Sequence, residues 1–437
     1  MSLNTIDLRA AALSRAELSR VIPRAQMDVS VASATAIQLI DDVRERGEQA
    51  LLEQAERLDR VRPDRVRIHA DEITRATRAL VPAVREALEL AIDRVRTASK
   101  AQVPPPMMTS LGDGAEIVQR WQPVNRVGLY VPGGKAVYPS SVIMNVVPAQ
   151  VAGVSSVALA SPPQRNFGGA VHPTILGAAG LLGVDEVYAM GGAGAIGAFA
   201  YGVPELGLDP VDIITGPGNV YVAAAKRAVR GIVGIDSEAG PTEILIIADA
   251  SADPRLVAAD LLSQAEHDEL AAAVLVTDSE ELADAVRVEL EKQRAATPHS
   301  ERASIALDGQ QSAIVLVSDM AAAAALSNAY GPEHLEIQTE ESGTVLDMID
   351  NAGAIFLGEQ SPVSLGDYLA GSNHVLPTGG QSRFSSGLGA YTFLRPQQVI
   401  RYSHDALRAL EPHIVALSAA EDLPAHGAAV SARFSDH

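Results

Sequence analysis

The chain has 437 residues, 47% hydrophobic and 20% charged, which are globular proportions in a chain too long for one small core. With 34 basic against 54 acidic side chains its net charge is -20, which excludes nucleic acid or an anionic membrane as a partner held through a global positive field. Cysteine is absent, so disulfides, thiolate zinc sites and a cysteine nucleophile are excluded too.

Met1 to Arg20 mixes Arg9, Arg15 and Arg20 with Asp7 and Glu17 and lacks the apolar core of a signal peptide, so a cytoplasmic protein is expected. From about Ser30 to Lys100 the spacing of Ala36, Leu39, Ile40, Val43, Ala50 and Leu51 predicts helices. Pro104-Pro105-Pro106 breaks that pattern, and a hairpin is expected around Gly112 to Gly114.

From Arg126 short apolar runs alternate with helical ones. Strands are predicted at Val127–Val131, Ser156–Ala160, Glu186–Met190 and Val211–Ile214, with helices at Ser140–Gly153, His172–Leu182, Ala195–Tyr201 and Val220–Val229. The charge-free run from Ala136 to Gln164 carries Asn145, Pro148, Gln150, Ser155 and Ser156, and reads as a buried helix feeding a strand, not as a membrane span. A second series starts at Glu243. Strands are predicted at Ile244–Ala248, Ala273–Thr277, Leu335–Gln338 and Ala354–Leu357, with further apolar runs at Ser304–Leu307 and Ala313–Val317. Helices are predicted at Pro254–Glu266, Glu280–Arg294, Met320–Tyr330 and Thr344–Asn351, then short ones at Arg401–Leu410 and Pro412–Glu421. The fold class is therefore α/β: two Rossmann-like parallel-sheet domains with a helical N-terminal segment and a helical C-terminal tail.

Glycine-rich strand ends recur at Gly133-Gly134, Gly191-Gly192 and Gly216-Pro217-Gly218-Asn219, along the carboxyl edge of a parallel sheet, where backbone N–H groups can hold a pyrophosphate. Gly192-Ala193-Gly194-Ala195-Ile196-Gly197 matches GxGxxG, with Asp212 further on where a ribose-binding acid is expected. The same run reads equally as a small-residue turn packing a helix on a sheet. The run from Gly128 to Lys135 lacks the hydroxyl residue of a P-loop, since Ala136 follows the lysine.

Glu333 and His334 stand side by side after Gly331-Pro332, a carboxylate and an imidazole able to accept protons at one reacting centre. The plainer reading is a strand that begins with two polar residues. Gln264 and His267 share a helix face and carry donor atoms for a divalent ion, or else form an ordinary polar helix end. Asp367 and His374 lie in a glycine-bearing loop, and His426 follows Glu421 in the tail.

Taken together these runs resemble the histidinol dehydrogenase family over nearly the whole chain. The matching segments are Gly128 to Gly134, Gly216 to Asn219, Ala239 to Glu243, Ser263 to His267, Gly331 to Leu335, Gly366 to Tyr368 and Gly371 to His374, with Glu421 and His426. The resemblance implies oxidation of L-histidinol to L-histidine with one zinc per site and two NAD. It implies Glu333 and His334 as proton acceptors, and Gln264, His267, Asp367 and His426 as zinc ligands. It implies that Thr242, His334, Asp367, Glu421 and the zinc residues hold substrate, and that Tyr130 and Asn219 contact NAD. Glu421 and His426 would complete the partner's site in a homodimer. The expected division is an arm over 1–24, a larger domain over 25–128 plus 243–385 carrying zinc and catalytic residues, an NAD-contacting domain over 129–242, and a tail over 386–437. Gly194 stands where the family usually has Gln, which turns the GxGxxG match toward accident, and Thr242 stands where Ser is common.

Without cysteine the second oxidation has no thiohemiacetal route, so the aldehyde is expected to be hydrated, with Glu333 activating water. A zinc hydrolase using Glu333 and metal-bound water is the alternative reading.

Overall fold

The computed structural model describes residues 3–25, 29–133 and 137–435. Gly134 and Lys135, named above, lie outside the described residues. The strands, in chain order, are β1 (Asn4–Asp7), β2 (Met107–Gly112), β3 (Ala115–Pro123), β4 (Arg126–Tyr130), β5 (Ser156–Ser161), β6 (Val187–Ala189) and β7 (Ile213–Thr215). They continue with β8 (Gly234–Ile235), β9 (Glu243–Ala248), β10 (Ala272–Thr277), β11 (Ala313–Leu316), β12 (His334–Gln338), β13 (Ala354–Leu357) and β14 (Leu394–Tyr402).

Two parallel sheets carry the fold. One has the order β6-β5-β4-β7-β8, the other β1-β11-β10-β9-β12-β13. Each series starts at a central strand, winds outward on one side, then crosses to the other. Both sheets are therefore doubly wound, with the reversal between β4 and β7 in one and between β9 and β12 in the other. Each is apolar on both faces and covered by helices, as parallel sheets require. The six-stranded sheet gains its edge strand from the N-terminal arm, where Asn4 to Asp7 pairs parallel to Ala313 to Leu316.

The helices that follow the arm depart from the expected division. Helix Val29–Arg46 packs against helices Gly192–Tyr201 and Val220–Val229, and helices Ala70–Arg78 and Pro82–Ala101 pack against Pro173–Leu181 and Pro139–Ala152. They cover the five-stranded sheet, so they do not belong with 243–385. The cause is the small-residue surface of helix Gly192–Tyr201. A Cβ at Gly197 would stand 3.1 Å from the Ile40 backbone, so the helices meet closely only because glycine is there.

The tail also departs from a purely helical one. Leu394 to Tyr402 pairs antiparallel with β3, and β3 with β2, in a third, three-stranded sheet. The expected hairpin is the β2–β3 turn. One helix, His404–Ala420, runs through Pro412 in place of two, because at an exposed position the ring costs one hydrogen bond without ending the helix. A last helix spans Pro424–Ser431. The run Ser304–Leu307 lies within helix Ser300–Asp308, and the helix expected at Thr344–Asn351 is the shorter Ser342–Leu346.

Candidate functional site

A cavity of about 620 Å³ opens between the two parallel sheets. The five-stranded sheet faces it with its carboxyl edge: Gly133 after β4, Gly216 to Asn219 after β7, Asp236 and Ser237 after β8. The six-stranded sheet faces it with its amino edge: Thr242 before β9, His267 before β10, Glu333 and His334 at the start of β12. Asp367, Tyr368 and His374 close the side.

Local sequence explains how Glu333 reaches this edge. Helix Met320–Tyr330 ends at Gly331, whose φ of 62° few other residues tolerate, and Pro332, which cannot continue a helix, leads the chain into β12. Gly353 passes so close that a Cβ there would lie 2.5 Å from the Glu333 carbonyl oxygen. Glu333 is buried, and its Oε2 accepts from Thr242 Oγ1 at 2.6 Å and from the Glu243 N–H at 2.9 Å. Burial nevertheless dominates and pushes this carboxyl up to about 8.

His334 is buried beside it. Its Nδ1 lies 3.1 Å from the Glu243 carbonyl oxygen, which can only accept, so Nδ1 carries the proton and Nε2 presents a lone pair. Burial lowers its pKa, against the opposing pull of Asp367. One peptide neighbourhood, the N–H and C=O of Glu243, thus holds both members of the pair.

Gln264 ends helix Pro254–Ala265 and donates Nε2–H to Thr242 Oγ1 at 2.6 Å; its amide oxygen is the atom it offers a hard cation. His267 Nε2 and Asp367 Oδ2 face each other 4.0 Å apart. Burial lowers the His267 pKa and so favours the neutral, ligating imidazole, although Asp367 opposes it. Among the described residues of a single chain, no three His, Cys, Asp or Glu side chains form a group able to hold a metal ion. Glu421 and His426 are exposed on the tail and do not line the cavity of their own chain.

The glycine-rich wall is built differently. A Cβ at Gly216 would lie 1.9 Å from the Tyr130 carbonyl oxygen, and its φ is 113°, so only glycine fits. The buried pair Lys226–Asp236 grips this residue: Lys226 Nζ donates to its carbonyl at 2.9 Å and Asp236 accepts from its N–H at 2.8 Å. Asn219 lies on the cavity and caps helix Val220–Val229, accepting from Tyr221 and Val222 N–H. Tyr130 does not line the cavity. Its hydroxyl accepts from the Gly192 N–H at 3.1 Å, and burial pushes its pKa up to about 12. In the GxGxxG run, Gly194 and Gly197 face Gln54 and Ile40 and serve helix packing.

The structure thus brings Thr242, His267, Glu333, His334, Asp367 and Asn219 together on one cavity and ties Gln264 to it through Thr242. It adds residues to which the sequence gave no role. Partly buried His374 is fixed by Asp367 O at Nδ1 and Ser141 Oγ at Nε2, each at 3.0 Å. Its run Asn373-His374 was the available signal. Glu243, Lys226 and Asp236 carry no local signal, because their partners are remote in sequence.

A family model for histidinol dehydrogenase matches residues 22–434. A histidinol dehydrogenase of Leifsonia xyli subsp. xyli is 68% identical over 434 residues, covering 99% of this chain and 100% of that one. That of Mycolicibacterium smegmatis is 56% identical over 99% of this chain and 98% of its own length. The solved histidinol dehydrogenase of Elizabethkingia anophelis superposes with a TM-score of 0.93 at 32% identity, covering 99% of this chain and 98% of that one.

Proposed function

The chain belongs to the histidinol dehydrogenase family, and from that premise we propose that it oxidises L-histidinol through L-histidinaldehyde to L-histidine at the cavity between its two parallel sheets. The observation that carries the reading is the Glu333–His334 pair, held by one peptide neighbourhood within the same cavity as His267 and Asp367.

His267, Asp367 and Gln264 fit a zinc ion by donor type, and His267 and Asp367 face each other across the cavity. His426 of a second copy is the fourth ligand in this reading, and Glu421 would reach substrate from the same tail. Exposed apolar side chains support a homodimer: Met108, Ile400 and Leu417 are each 65–66% exposed on the three-stranded sheet and the tail helices. When bound, zinc supplies a template for the substrate's imidazole and amine nitrogens, and NAD accepts the hydride of each oxidation.

The protein's own work is proton handling. His334 Nε2 takes the alcohol proton as the carbon gives up hydride, leaving the aldehyde. Glu333 Oε2 is occupied by Thr242 and Glu243, so Oε1 is the oxygen that takes a proton from water as water adds to the aldehyde. His334 returns its proton to the aldehyde oxygen as water adds, takes one again from the hydrate as the second hydride leaves, and the acid is formed. Thr242 holds Glu333 from one side and Gln264 from the other. Asn219 and the backbone of the Gly216 turn would line the NAD end, with the Tyr130 main chain packed directly behind Gly216. No helix among the described residues is long and apolar enough to cross a membrane, and we place the enzyme in the cytoplasm.

Two equivalents of NADH per histidinol are expected by absorbance, since alcohol to acid removes two hydrides. Metal-dependent hydrolysis without NADH would sink the reading in favour of a hydrolase. For the shared site, mixing His426→Ala with His267→Ala protein should recover activity that neither has alone; no recovery counts against it.

A further inference from the structure

The proton acceptors do not stand on their own strands alone. Glu243 supplies its N–H to Glu333 and its C=O to His334, and its own side chain is buried, only 5% exposed. A carboxylate in that position needs a fixed partner. The partner comes from the N-terminal arm, 219 residues away: Arg24 Nη1 donates to Glu243 Oε1 at 2.6 Å, and also meets Oε2. Arg24 is itself held in place. Its guanidinium lies 3.8 Å over the Tyr330 ring, and Nη2 donates to the Tyr330 carbonyl. The Gly379 N–H also donates to Glu243 Oε1. Tyr330 ends the helix that feeds Gly331, Pro332 and Glu333, so the guanidinium ties the start of β9 to the chain entering β12.

We propose that Arg24 and Glu243 form a positioning unit for the reaction: the ion pair clamps the Glu243 main chain between Glu333 and His334 and so sets the aim of both proton acceptors. This rests on the assignment of Glu333 and His334 as the acceptors. Neither Arg24 nor Glu243 touches substrate in this scheme. Their effect on rate passes through the peptide they hold, where displacement by a fraction of an ångström is costly.

The test uses the full-length, zinc-loaded enzyme with Glu243→Gln, Arg24→Met, Arg24→Lys and His334→Asn. Arg24→Met should lower kcat about tenfold or more while KM for histidinol changes less than about threefold. Arg24→Lys keeps the charge and one of two hydrogen bonds, and should fall between Arg24→Met and the parent. Glu243→Gln carries a second readout. His334 is faced by Glu243 from β9, Asp367 from helix Val363–Tyr368, His267 and His374, with Glu333 adjacent. Removing one negative charge and leaving Arg24 unpaired disfavours the imidazolium, so the acid limb of kcat/KM should move down by about half a pH unit. An unmoved limb with a lowered melting temperature, or Arg24→Lys no better than Arg24→Met, overturns the proposal. Should Glu243→Gln fail to fold, the Arg24 pair decides alone, since that side chain is 26% exposed. His334→Asn separates the two failures: if it retains turnover, the acceptor assignment is wrong, whatever the clamp variants do.

Discussion

The two parallel sheets share one winding but meet the cavity by opposite edges. The five-stranded sheet presents its carboxyl edge, the usual ligand edge of a doubly wound fold, and offers glycines and backbone groups there. The six-stranded sheet presents its amino edge and offers Thr242, His267, Glu333 and His334. An ion pair stiffens each wall, the buried Lys226–Asp236 around Gly216 and the partly buried Arg24–Glu243 around the peptide at the start of β9. The same winding therefore yields two kinds of surface. Where backbone must approach a ligand, side chains are stripped away. Where protons must move, the strand begins with ionisable residues and the neighbouring strand's main chain fixes their tautomer.

Breaking the side-chain wall should have the largest effect. His334→Asn keeps a hydrogen-bond donor toward Glu243 but removes the base, so kcat should fall by at least about 100-fold with zinc content unchanged, read by turnover and metal analysis. Turnover within about threefold of the parent would dissolve the contrast between the walls.

A smaller effect sharpens the comparison inside the six-stranded sheet. His334, Glu336 and Gln338 alternate onto one face of β12, so the acidic character of this wall continues into the sheet interior. Glu336 is fully buried beside Asp260, and burial, followed by the charge of Asp260, pushes its carboxyl well above the usual range. Such a group costs nothing below its unfolded pKa of about 4.3. As pH rises from there toward the raised folded value, the unfolded chain ionises first and the folded state loses stability, by at most about 1.4 kcal/mol per pH unit. Glu336→Gln should flatten the decline in melting temperature between pH 5 and pH 8. A decline as steep as the parent's would contradict that assignment.

Much of this was legible in the chain. The βα alternation marked both sheets, because buried parallel strands write themselves as short apolar runs. Thr242, Gln264, His267, Glu333, His334 and Asp367 were named because each sits in a short run that carries the resemblance to the histidinol dehydrogenase family. The grouping of helices 29–101 was not legible. Their apolar stripe says that they pack, but the choice of sheet depends on Gly194 and Gly197, two residues that looked instead like a phosphate loop. The pairing of Arg24 with Glu243 was invisible for a related reason: an ion pair between an arm and a strand start has no spacing to read. Strand β14 was missed because it is mostly exposed and includes Pro396, and it pairs only through the remote β3.

The division of labour on the amino edge is most directly tested by single-turnover NADH formation with Glu333→Gln. With histidinol, the first NADH should appear at a rate close to the parent's, and the second should be slowed by about 100-fold, because only the hydration step needs this carboxylate. In the parent the second phase should quicken as pH rises toward the Glu333 value of about 8, and in the variant that dependence should vanish. Equal slowing of both phases, or an unchanged second phase, would contradict the account.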